Sequence, residues 1–525
     1  MGGHLKGRWT AFSLVLVLLA NACAGASSPT AAQLDPDAEI RFASDEDTWP
    51  GEGAKEKSKL FSYPLNMNVF EPLISLGSDY SLKPGLAERW ELIKPNTWRF
   101  HIRKGVQFHD GSPLTADDVV WTWGDRQLKG KALSTVANTL DANSVKKVDD
   151  FTVDITPKVP NLRLPEQIVH PNGSIMPKGK HPDEPGTPGT GPFKVVEYRR
   201  ADQATFERND QYWGEKAKVK RIVVRFLPDP QARIQALKAG DVDFIKDAPP
   251  DGVRSLESAG FTVVRSKNGR NQMLYLHRNG KAPHEILSDR AVRQAVSLSV
   301  DRKSYADTVF DGNAETGRAM APLSILGKHA DLVVPSVYDP AKAKQILESA
   351  GWKVGSGGIR EKAGRPLRLE MIGWAEVSST SFELLQSQLK AVGIDVVIKK
   401  AADQPTYGGF YRGNAFDIDL EVPNQNDGNP AFLPVLRMYS KNPGTERFAP
   451  GGEFDTWAAK ALAAPTSDGA QEASAQMMRI LIHEEFTVVP LAGLYRIYAM
   501  RKGVSLGDPH PSATNQTWLT LTKTR

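Results

Sequence analysis

The sequence contains a single cysteine, Cys23, which excludes a disulfide bond within the chain. Long apolar runs are also missing, because no stretch after the N-terminal segment approaches the ~20 residues that a transmembrane helix needs. The 10 histidines are scattered along the chain without the spacing of metal ligands. The fold must therefore depend on its hydrophobic core, and we expect neither a metal site nor a cofactor.

Signatures of catalysis are missing as well. The segment His483-Glu484-Glu485-Phe486 lacks the second histidine of a zinc-protease helix, and no serine lies in a Gly-x-Ser-x-Gly elbow. The run Gly355-Ser356-Gly357-Gly358 opens no helix, so its pattern favours a hairpin turn over a phosphate-binding loop. These absences predict a protein that is not an enzyme.

The net charge of the chain is small. The formal net charge is +5, and Lys6 and Arg8 of the N-terminal segment supply two of those charges. No basic stripe is present, which argues against nucleic acid as a partner. With 40% hydrophobic and 24% charged residues, the composition is that of a soluble globular protein, and the length predicts roughly two to four domains.

The N-terminal segment has the pattern of an export signal. Lys6 and Arg8 form a small positive region, and the apolar run from Ala11 to Ala20 is too short to span a bilayer as a stable helix. Residues 1–22 resemble a bacterial lipoprotein signal, in which Cys23 is lipidated and becomes the mature N-terminus. The alternative is an ordinary secretory signal that contains a cysteine. Either interpretation predicts an exported protein, in the periplasm or on the outer face of the cell membrane.

Residues 23–38 are small and polar and include Pro29 and Pro36. Such a segment buries too little apolar surface to offset the entropy lost on ordering, so we expect a flexible tether.

The remaining chain alternates between strand and helix patterns, which predicts an α/β fold with mixed sheets covered by helices. The predicted strands are Ile40–Ala43, Trp98–Ile102, Phe151–Ile155, Phe193–Tyr198, Arg221–Phe226, Asp241–Phe244, Leu367–Ile372 and Ile394–Ile398. The predicted helices are Asp229–Ala239, Ser288–Val300 with Ser288 as its cap, Pro340–Ala350 and Ser379–Val392.

One stretch carries several local signals together. The Asp-Gly pair in His109-Asp110-Gly111 predicts a tight turn. Thr115 then caps a helix, and Asp118 completes its capping box. The tryptophans Trp121 and Trp123 follow, and we expect both to pack in a core.

These segments resemble family 5 extracellular solute-binding proteins, the peptide, oligosaccharide and nickel receptors of ATP-driven importers. The resemblance is carried, in chain order, by Tyr80 to Trp90, Gly105 to Val120, Gly189 to Tyr198, Arg208 to Trp213 with Pro228 to Phe244, Ser288 to Arg302, Tyr338 to Trp352 and Phe486 to Gly503. It covers nearly the whole chain after the signal.

The resemblance implies a two-lobe periplasmic-binding-protein fold of type II, with the extra subdomain of the peptide-binding class. The implied parts are lobe I at residues 39–268, an extra subdomain at about 53–188, lobe II at 269–485, and a return to lobe I at 486–525. The chain would cross between lobes near Ser266–Gly269 and near Glu485–Pro490, and hinge motion would be absorbed there. Arg290 and Arg293 are expected to serve lobe packing.

Ligand contacts in the family come from loops that face the cleft. In lobe I the implied loop lies between Asp45 and Ser62 and offers Trp49, Lys57 and Ser58. In lobe II the implied positions are Trp374 and Glu376 after one strand, the loop from Glu421 to Pro430, and Tyr407 as a stacking face or as a packed aromatic.

The lobe II loop bears on the class of ligand. Peptide-binding members place an aspartate four residues before this loop's proline, where it neutralises the peptide's ammonium. Counting back from Pro430, that position is Asn426, and Asp427 follows. Either Asp427 substitutes through a one-residue shift, or the ligand lacks a free ammonium.

The implied function is capture of a small solute and its delivery to the permease subunits of an ATP-binding-cassette importer. An oligopeptide stands slightly ahead of an oligosaccharide or another non-peptide solute. An extracellular sensor on the same fold would have the same sequence pattern. We expect a monomer that is attached to the membrane only through a lipid at Cys23.

The anchoring hypothesis predicts the behaviour of Cys23→Ser. Because Cys23 is the only thiol, its loss should release the protein into the medium or leave the signal unprocessed. Fractionation of cells followed by mass determination measures this. Mature-sized variant retained on the membrane as fully as the wild type would contradict the lipoprotein signal.

Overall fold

The structure, a computed structural model, describes most of the chain after residue 32, including the end of the predicted tether, where Leu34 bridges to Thr524. The described residues are 2, 33–45, 67–126, 140, 144–158, 161–170, 173–180, 186–374, 377–423, 428–442, 444–512 and 517–525. Cys23 and the predicted signal fall outside this part of the chain, apart from residue 2. Within it, no helix has the length and apolarity needed to cross a membrane.

The strands of the described residues form one large sheet and several small ones. In chain order they are β1 Glu39–Ser44, β2 Ile74–Leu76, β3 Leu82–Pro84, β4 Ala87–Lys94, β5 Thr97–Ile102, β6 Val145–Asp149, β7 Thr152–Ile155, β8 Phe193–Arg199, β9 Gln203–Arg208, β10 Arg221–Phe226, β11 Phe244–Ile245, β12 Thr262–Leu276, β13 Ala314–Thr316, β14 Lys353–Val354, β15 Arg360–Lys362, β16 Arg365–Pro366, β17 Arg368–Gly373, β18 Asp395–Lys400, β19 Ile418–Glu421, β20 Val488–Met500, β21 Val504–Ser505 and β22 Thr522–Lys523.

The α-helices of the same residues cover the faces of these sheets. They are α1 Ala116–Val120, α2 Leu164–Gln167, α3 Pro230–Ala239, α4 Val253–Ser258, α5 Arg290–Ser299, α6 Arg302–Phe310, α7 Pro340–Ser349, α8 Ser379–Lys390, α9 Gln404–Gly413, α10 Phe432–Met438, α11 Gly452–Ala463 and α12 Ser467–Arg479. The mixed sheets and covering helices confirm the predicted α/β class.

The large sheet has the strand order β18-β17-β19-β12-β20-β11-β1-β10-β9-β8. On one side β17 pairs in parallel with β18 and β19, and on the other β1 pairs in parallel with β10 and β11. The long strands β12 and β20 lie between the two sides and pair antiparallel from Thr262↔Met500 to Tyr275↔Val488. The ladder is irregular between Lys267 and Asn271.

The strand directions make the carboxyl ends of the two parallel groups face each other. β11 pairs antiparallel with the C-terminal end of β20, and β19 pairs antiparallel with the C-terminal end of β12. The strands around β1 therefore run towards the group around β17, and the strands around β17 run towards the group around β1. Ligands of open α/β sheets bind outside the carboxyl ends of the strands, so we expect a ligand-binding site in the gap between these two edges. The residue bounds of the lobes stay a prediction.

Helix α5 follows the predicted amphipathic pattern, with a corrected cap. Val292, Ala295 and Val296 are fully buried, as the helical spacing predicts. The N-cap is Asp289 and not Ser288, because the Asp289 carboxylate accepts from the backbone N–H of Ala291 at 2.9 Å. Ser288 instead ends a short 3₁₀ turn.

The arginines of α5 serve packing, as expected. Arg293 is 1% exposed and donates to the backbone carbonyls of Leu287, Ser288 and Glu485 at 2.7–3.0 Å. Arg290 lies over the ring of Phe486.

The predicted strand Asp241–Phe244 is wrong at its start, since the strand is Phe244–Ile245. Gly240 ends helix α3 with φ 86°, and the N–H of Asp241 still bonds to the carbonyl of Ala236 at 2.9 Å. The helix end therefore keeps Asp241 and Val242 out of the sheet.

Two other local predictions are confirmed. Residues Gly355 to Gly358 lie in the turn between β14 and β15, which pair antiparallel as a hairpin. Thr115 caps α1, where the Asp118 carboxylate accepts from the Thr115 N–H at 2.8 Å. Of the two tryptophans that follow, Trp123 is fully buried and donates to the carbonyl of Gly173, whereas Trp121 is partly buried against the core.

The segment from Asn68 to Glu71 joins distant parts of the chain. A Cβ at Gly189 would lie 1.7 Å from the carbonyl of Val69, and one at Gly191 would lie 2.5 Å from the carbonyl of Asn68, so only glycine fits at these two positions. The Asn68 side-chain oxygen accepts from the backbone N–H of Trp518 at 2.7 Å. The glycines of the segment Gly189 to Tyr198 are thus required by close packing.

Glu71 is the polar centre of this segment. Its buried carboxylate accepts from the hydroxyl of Thr190 at 2.8 Å, the hydroxyl of Tyr212 at 2.7 Å and the indole N–H of Trp213 at 2.9 Å. Burial raises the pKa of Glu71 to about 7 against the lowering effect of these three donors. Tyr212 and Trp213 of the segment Arg208 to Trp213 therefore serve the structure, because they bind the buried carboxylate of Glu71.

The raised pKa of Glu71 makes stability depend on pH. A carboxyl whose pKa is higher in the folded state stabilises the fold below its unfolded value of 4.5, and this contribution is lost as the pH rises through about 7. Glu71→Gln cannot ionise, so the stability of wild type relative to the variant should fall by up to about 3 kcal/mol between pH 4.5 and pH 8. Urea unfolding at the two pH values measures this. Glu88→Gln, at an exposed position, is the control, and equal pH profiles for wild type and Glu71→Gln would contradict the assignment.

Candidate ligand-binding site

Side chains that follow or end the strands β17, β18 and β19 meet at the carboxyl edge of this parallel group. Trp374 follows β17, helix α9 follows β18, and Glu421 ends β19. Parallel strands bring their carboxyl ends to one edge, so these elements become neighbours although they are far apart in sequence.

Trp374 and Tyr407 form an aromatic wall at this edge. Their ring centroids are 5.6 Å apart in an edge-to-face arrangement with an interplanar angle of 81°. Tyr407 also packs against Tyr411, one turn later on α9, with centroids 5.1 Å apart. Aromatic faces of this kind suit both sugars and peptide side chains.

Asp419 fixes the two tyrosines from below. Its carboxylate is fully buried and accepts from the Tyr407 hydroxyl, at 3.0 Å to each oxygen, and from the Tyr411 hydroxyl. Burial, and next the charge of Glu421, raise the pKa of Asp419 to about 7, although the tyrosine hydroxyls and Arg437 act in the opposite direction. The wall thus rests on a carboxyl group that titrates near neutral pH.

Glu421 and Arg437 extend this polar layer. They form an ion pair between the end of β19 and helix α10. The guanidinium of Arg437 lies 5.9 Å from the ring centroid of Tyr275, which is opposite Asp419 in the β12–β19 ladder. The Tyr275 hydroxyl, the second oxygen of Glu421 and Nε of Arg437 are buried without a hydrogen-bond partner.

The opposite edge, at the carboxyl ends of β1 and β11, is also charged. Lys246 is buried and lies 3.0 Å from Asp45 and 3.3 Å from Asp247, and Arg496 of β20 lies 3.1 Å from Asp247. Burial alone would raise the pKa of Asp247, but Arg496 and Lys246 hold it well below its ordinary value. Asp247 also has φ 52°, an uncommon conformation outside glycine.

An apolar cavity lies beside this charged group. Aromatic and aliphatic side chains and one amine line it: Phe42, Phe244, Lys246, Tyr498, Leu506, Trp518 and Leu521. Phe42 stacks on Phe244 at 4.7 Å, and Trp518 meets Phe42 edge to face at 5.6 Å. Both sheet edges therefore combine aromatic rings with charged groups.

The segment around α2 touches the loop that follows β19. The N–H of Gly428 donates to the carbonyl of Glu166 at 3.2 Å, and Arg163 donates to the carbonyl of Ala464 at 2.8 Å. Arg163 and Glu166 pair with each other at 2.8 Å, and both are buried. A helix of the first 200 residues thus contacts the helical side of the second half of the chain.

Of the residues predicted to bind ligand, the structure brings Trp374 and Tyr407 together. Trp49, Lys57, Ser58, Glu376, Asn426 and Asp427 lie outside the described residues, and so does Cys23. Ligand binding by all of these residues stays a prediction.

Sequence reasoning missed Asp419, Tyr411 and Arg437. A signal was present, because Asp417, Asp419 and Glu421 alternate with Ile418 and Leu420. Such alternation is usually read as a strand with one solvated face, whereas here the acidic face is covered by α9 and α10. Within the described part of the chain, no three His, Cys, Asp or Glu side chains are grouped as a metal site requires.

Comparison with protein families identifies the chain. The model of the bacterial extracellular solute-binding proteins, family 5 middle, matches residues 81–445. The chain belongs to this family. Its members bind small solutes for ATP-binding-cassette importers, and the chain has a solute-binding role accordingly.

Individual relatives differ in what their names say they bind. The chain is 30% identical over 397 residues to the nickel-binding periplasmic protein of Escherichia coli. This alignment covers 68% of this chain and 74% of that protein. It is 26% identical over 492 residues to the peptide transport periplasmic protein SapA of Salmonella typhimurium, with 85% of each chain covered.

Solved structures support the fold. The crystal structure of NikA from Brucella suis in complex with Fe(III)-EDTA superimposes with a TM-score of 0.78 at 24% identity, covering 93% of this chain and 100% of that chain. The chain therefore has the type II two-lobe fold of periplasmic binding proteins.

The aromatic wall predicts the behaviour of Trp374→Ala. Trp374 is only partly buried, so its loss should weaken ligand binding at least tenfold while the melting temperature without ligand stays nearly unchanged. Calorimetry with a ligand from a melting screen measures the first, and a thermal melt the second. Trp457→Ala on α11, also partly buried, is the control. A large loss of stability without ligand would identify Trp374 as a core residue.

Proposed function

We propose that this protein is a membrane-tethered receptor that captures an oligopeptide and delivers it to the permease of an ATP-binding-cassette importer. The observation that carries the proposal is the gap between two facing carboxyl edges, one of which presents the wall of Trp374 and Tyr407. The family membership supports solute capture, and the similarity to the peptide transport protein SapA supports a peptide.

The finer parts of the proposal rest on sequence. The anchor is the lipid at Cys23, and the protein acts as a monomer on the outer face of the membrane. The lobe I contacts are Trp49 and Ser58, and the lobe II contacts are Trp374, Tyr407, Asn426 and Asp427. The protein binds its solute without turnover, so a ligand recovered after incubation should be chemically intact.

A melting screen tests the class of ligand. Binding to the folded state alone stabilises it by about 2.7 kcal/mol at a hundredfold excess over Kd. Free tri- to pentapeptides should raise the melting temperature, whereas neutral oligosaccharides of similar size should not. If oligosaccharides alone stabilise the protein, the ligand is a sugar and not a peptide. Permease genes next to this gene would favour a role in transport over a role in sensing.

The loop that precedes Pro430 gives a sharper test. If Asp427 binds the peptide's ammonium, Asp427→Asn leaves that charge unpaired, which costs roughly 2–5 kcal/mol. Acetylation of the peptide N-terminus should then weaken binding to the wild type strongly and to the variant little, measured by calorimetry. Asn426→Ala is the control at the neighbouring amide. Equal affinity of the wild type for free and acetylated peptide would rule out the ammonium contact.

A further inference from the structure

The buried acid Asp419 has no cationic partner of its own. Among the other buried acids of the described chain, Asp243 pairs with Arg41, Glu166 with Arg163 and Asp417 with His284. Glu71 and Asp118, like Asp419, accept hydrogen bonds from uncharged donors. The hydrogen-bond donors to Asp419 are two tyrosine hydroxyls, which satisfy its oxygens without neutralising its charge.

The neighbouring charges do not remove this excess. Arg437 already pairs with Glu421, so two carboxylates share one guanidinium. Arg447 packs over the far side of Tyr411, 4.9 Å from its ring centroid, and donates to the Tyr411 carbonyl at 3.0 Å. A buried carboxylate without a counter-ion is costly, and proteins normally avoid the arrangement.

A second observation at the same place points to a missing polar partner. Tyr275 is 1% exposed, and its hydroxyl has no hydrogen-bond partner. The charges of Arg437, Glu421 and Asp419 all act on this hydroxyl, so it faces the same group of side chains. The free oxygen of Glu421 is buried there too. Buried polar groups are normally bonded, which indicates that a further polar group belongs here.

The location is at the ligand side of the fold. Glu421 ends β19, and the loop implied in ligand binding begins directly after it. Trp374 and Tyr407 form the wall above Asp419, and aromatic faces attract cations that lie over them. Negative charge and aromatic faces therefore lie side by side at this edge of the sheet.

We propose that Asp419 and Glu421, beneath Trp374 and Tyr407, select ligands that carry a positively charged side chain. The inference deepens the proposed function by naming basic solutes, lysine- or arginine-containing peptides first, as its ligand class. It is separate from the ammonium contact at Asp427, because it concerns a second positive charge.

Ligand binding should also move a proton. The groups that face Asp419 are Tyr407 and Tyr411 of α9, Glu421 of β19, Tyr275 of β12 and Arg437 of α10. Because burial and the charge of Glu421 raise the pKa of Asp419 towards neutral pH, Asp419 can take up a proton in the absence of ligand. A ligand cation lowers that pKa, so a basic ligand releases protons on binding at pH 7.

The test compares two tripeptides of equal length, Ala-Lys-Ala and Ala-norleucine-Ala. The wild type should bind the lysine peptide about tenfold more tightly or better, and Asp419→Asn should reduce this preference to within about threefold. Protons released on binding are taken up by the buffer, so the binding heat at pH 7 should depend on whether the buffer is phosphate or Tris. For the wild type, this dependence should be larger with the lysine peptide than with the norleucine peptide. In Asp419→Asn this excess should disappear.

Asp417→Asn is the matched control, because Asp417 is buried two residues away, just before β19, and pairs with His284. It should keep the charge preference. If the wild type binds neither these tripeptides nor pentapeptides with the same central residues, the peptide part of the proposed function is wrong. The affinities for spermidine and for the uncharged 1,8-octanediol then test the inference in the same way. No charge preference in the wild type, or a preference that survives in Asp419→Asn, overturns it.

Discussion

The antiparallel pairing of β12 with β20 is the constraint on which the rest of the structure depends. These two strands lie between the parallel groups of the large sheet, with β12 paired to one group and β20 to the other, so their ladder sets the direction of one group relative to the other. Because β11 pairs with one end and β19 with the other, two groups of opposite direction are held with their carboxyl edges facing. The irregularity between Lys267 and Asn271 interrupts regular pairing midway along this shared ladder.

Local structure was predictable wherever the signal lies within a few residues. The cap at Thr115, the hairpin at Gly355 to Gly358 and the apolar face of α5 depend on side-chain spacing and turn chemistry, and all three were found. The errors were also local. At α5 the choice between Ser288 and Asp289 depends on how the preceding 3₁₀ turn ends, and at β11 the helix end at Gly240 delays the strand.

The site could be predicted only in part, because it depends on contacts between distant segments. Trp374 was predicted from its place at a strand end and Tyr407 from its aromatic ring near two glycines, and the structure places the two rings in contact. Asp419 was missed, because an acid in an alternating strand looks solvated until α9 and α10 are known to cover it. The role of Glu71 was hidden for the same reason, since its three donors come from residues more than 100 positions away.

The contact between α2 and the segment around Gly428 has a consequence for how quickly the two halves separate. Its hydrogen bonds use a backbone N–H, two carbonyls and the buried pair of Arg163 and Glu166. The segment is not polar throughout, because Leu164 and Ile168 belong to one hydrophobic cluster with Leu433 and Phe454 of the second half of the chain. If the two halves separated, water could replace each lost hydrogen bond, whereas the apolar side chains would become exposed at a cost in free energy. The apolar part of this contact, and not its hydrogen bonds, therefore resists separation.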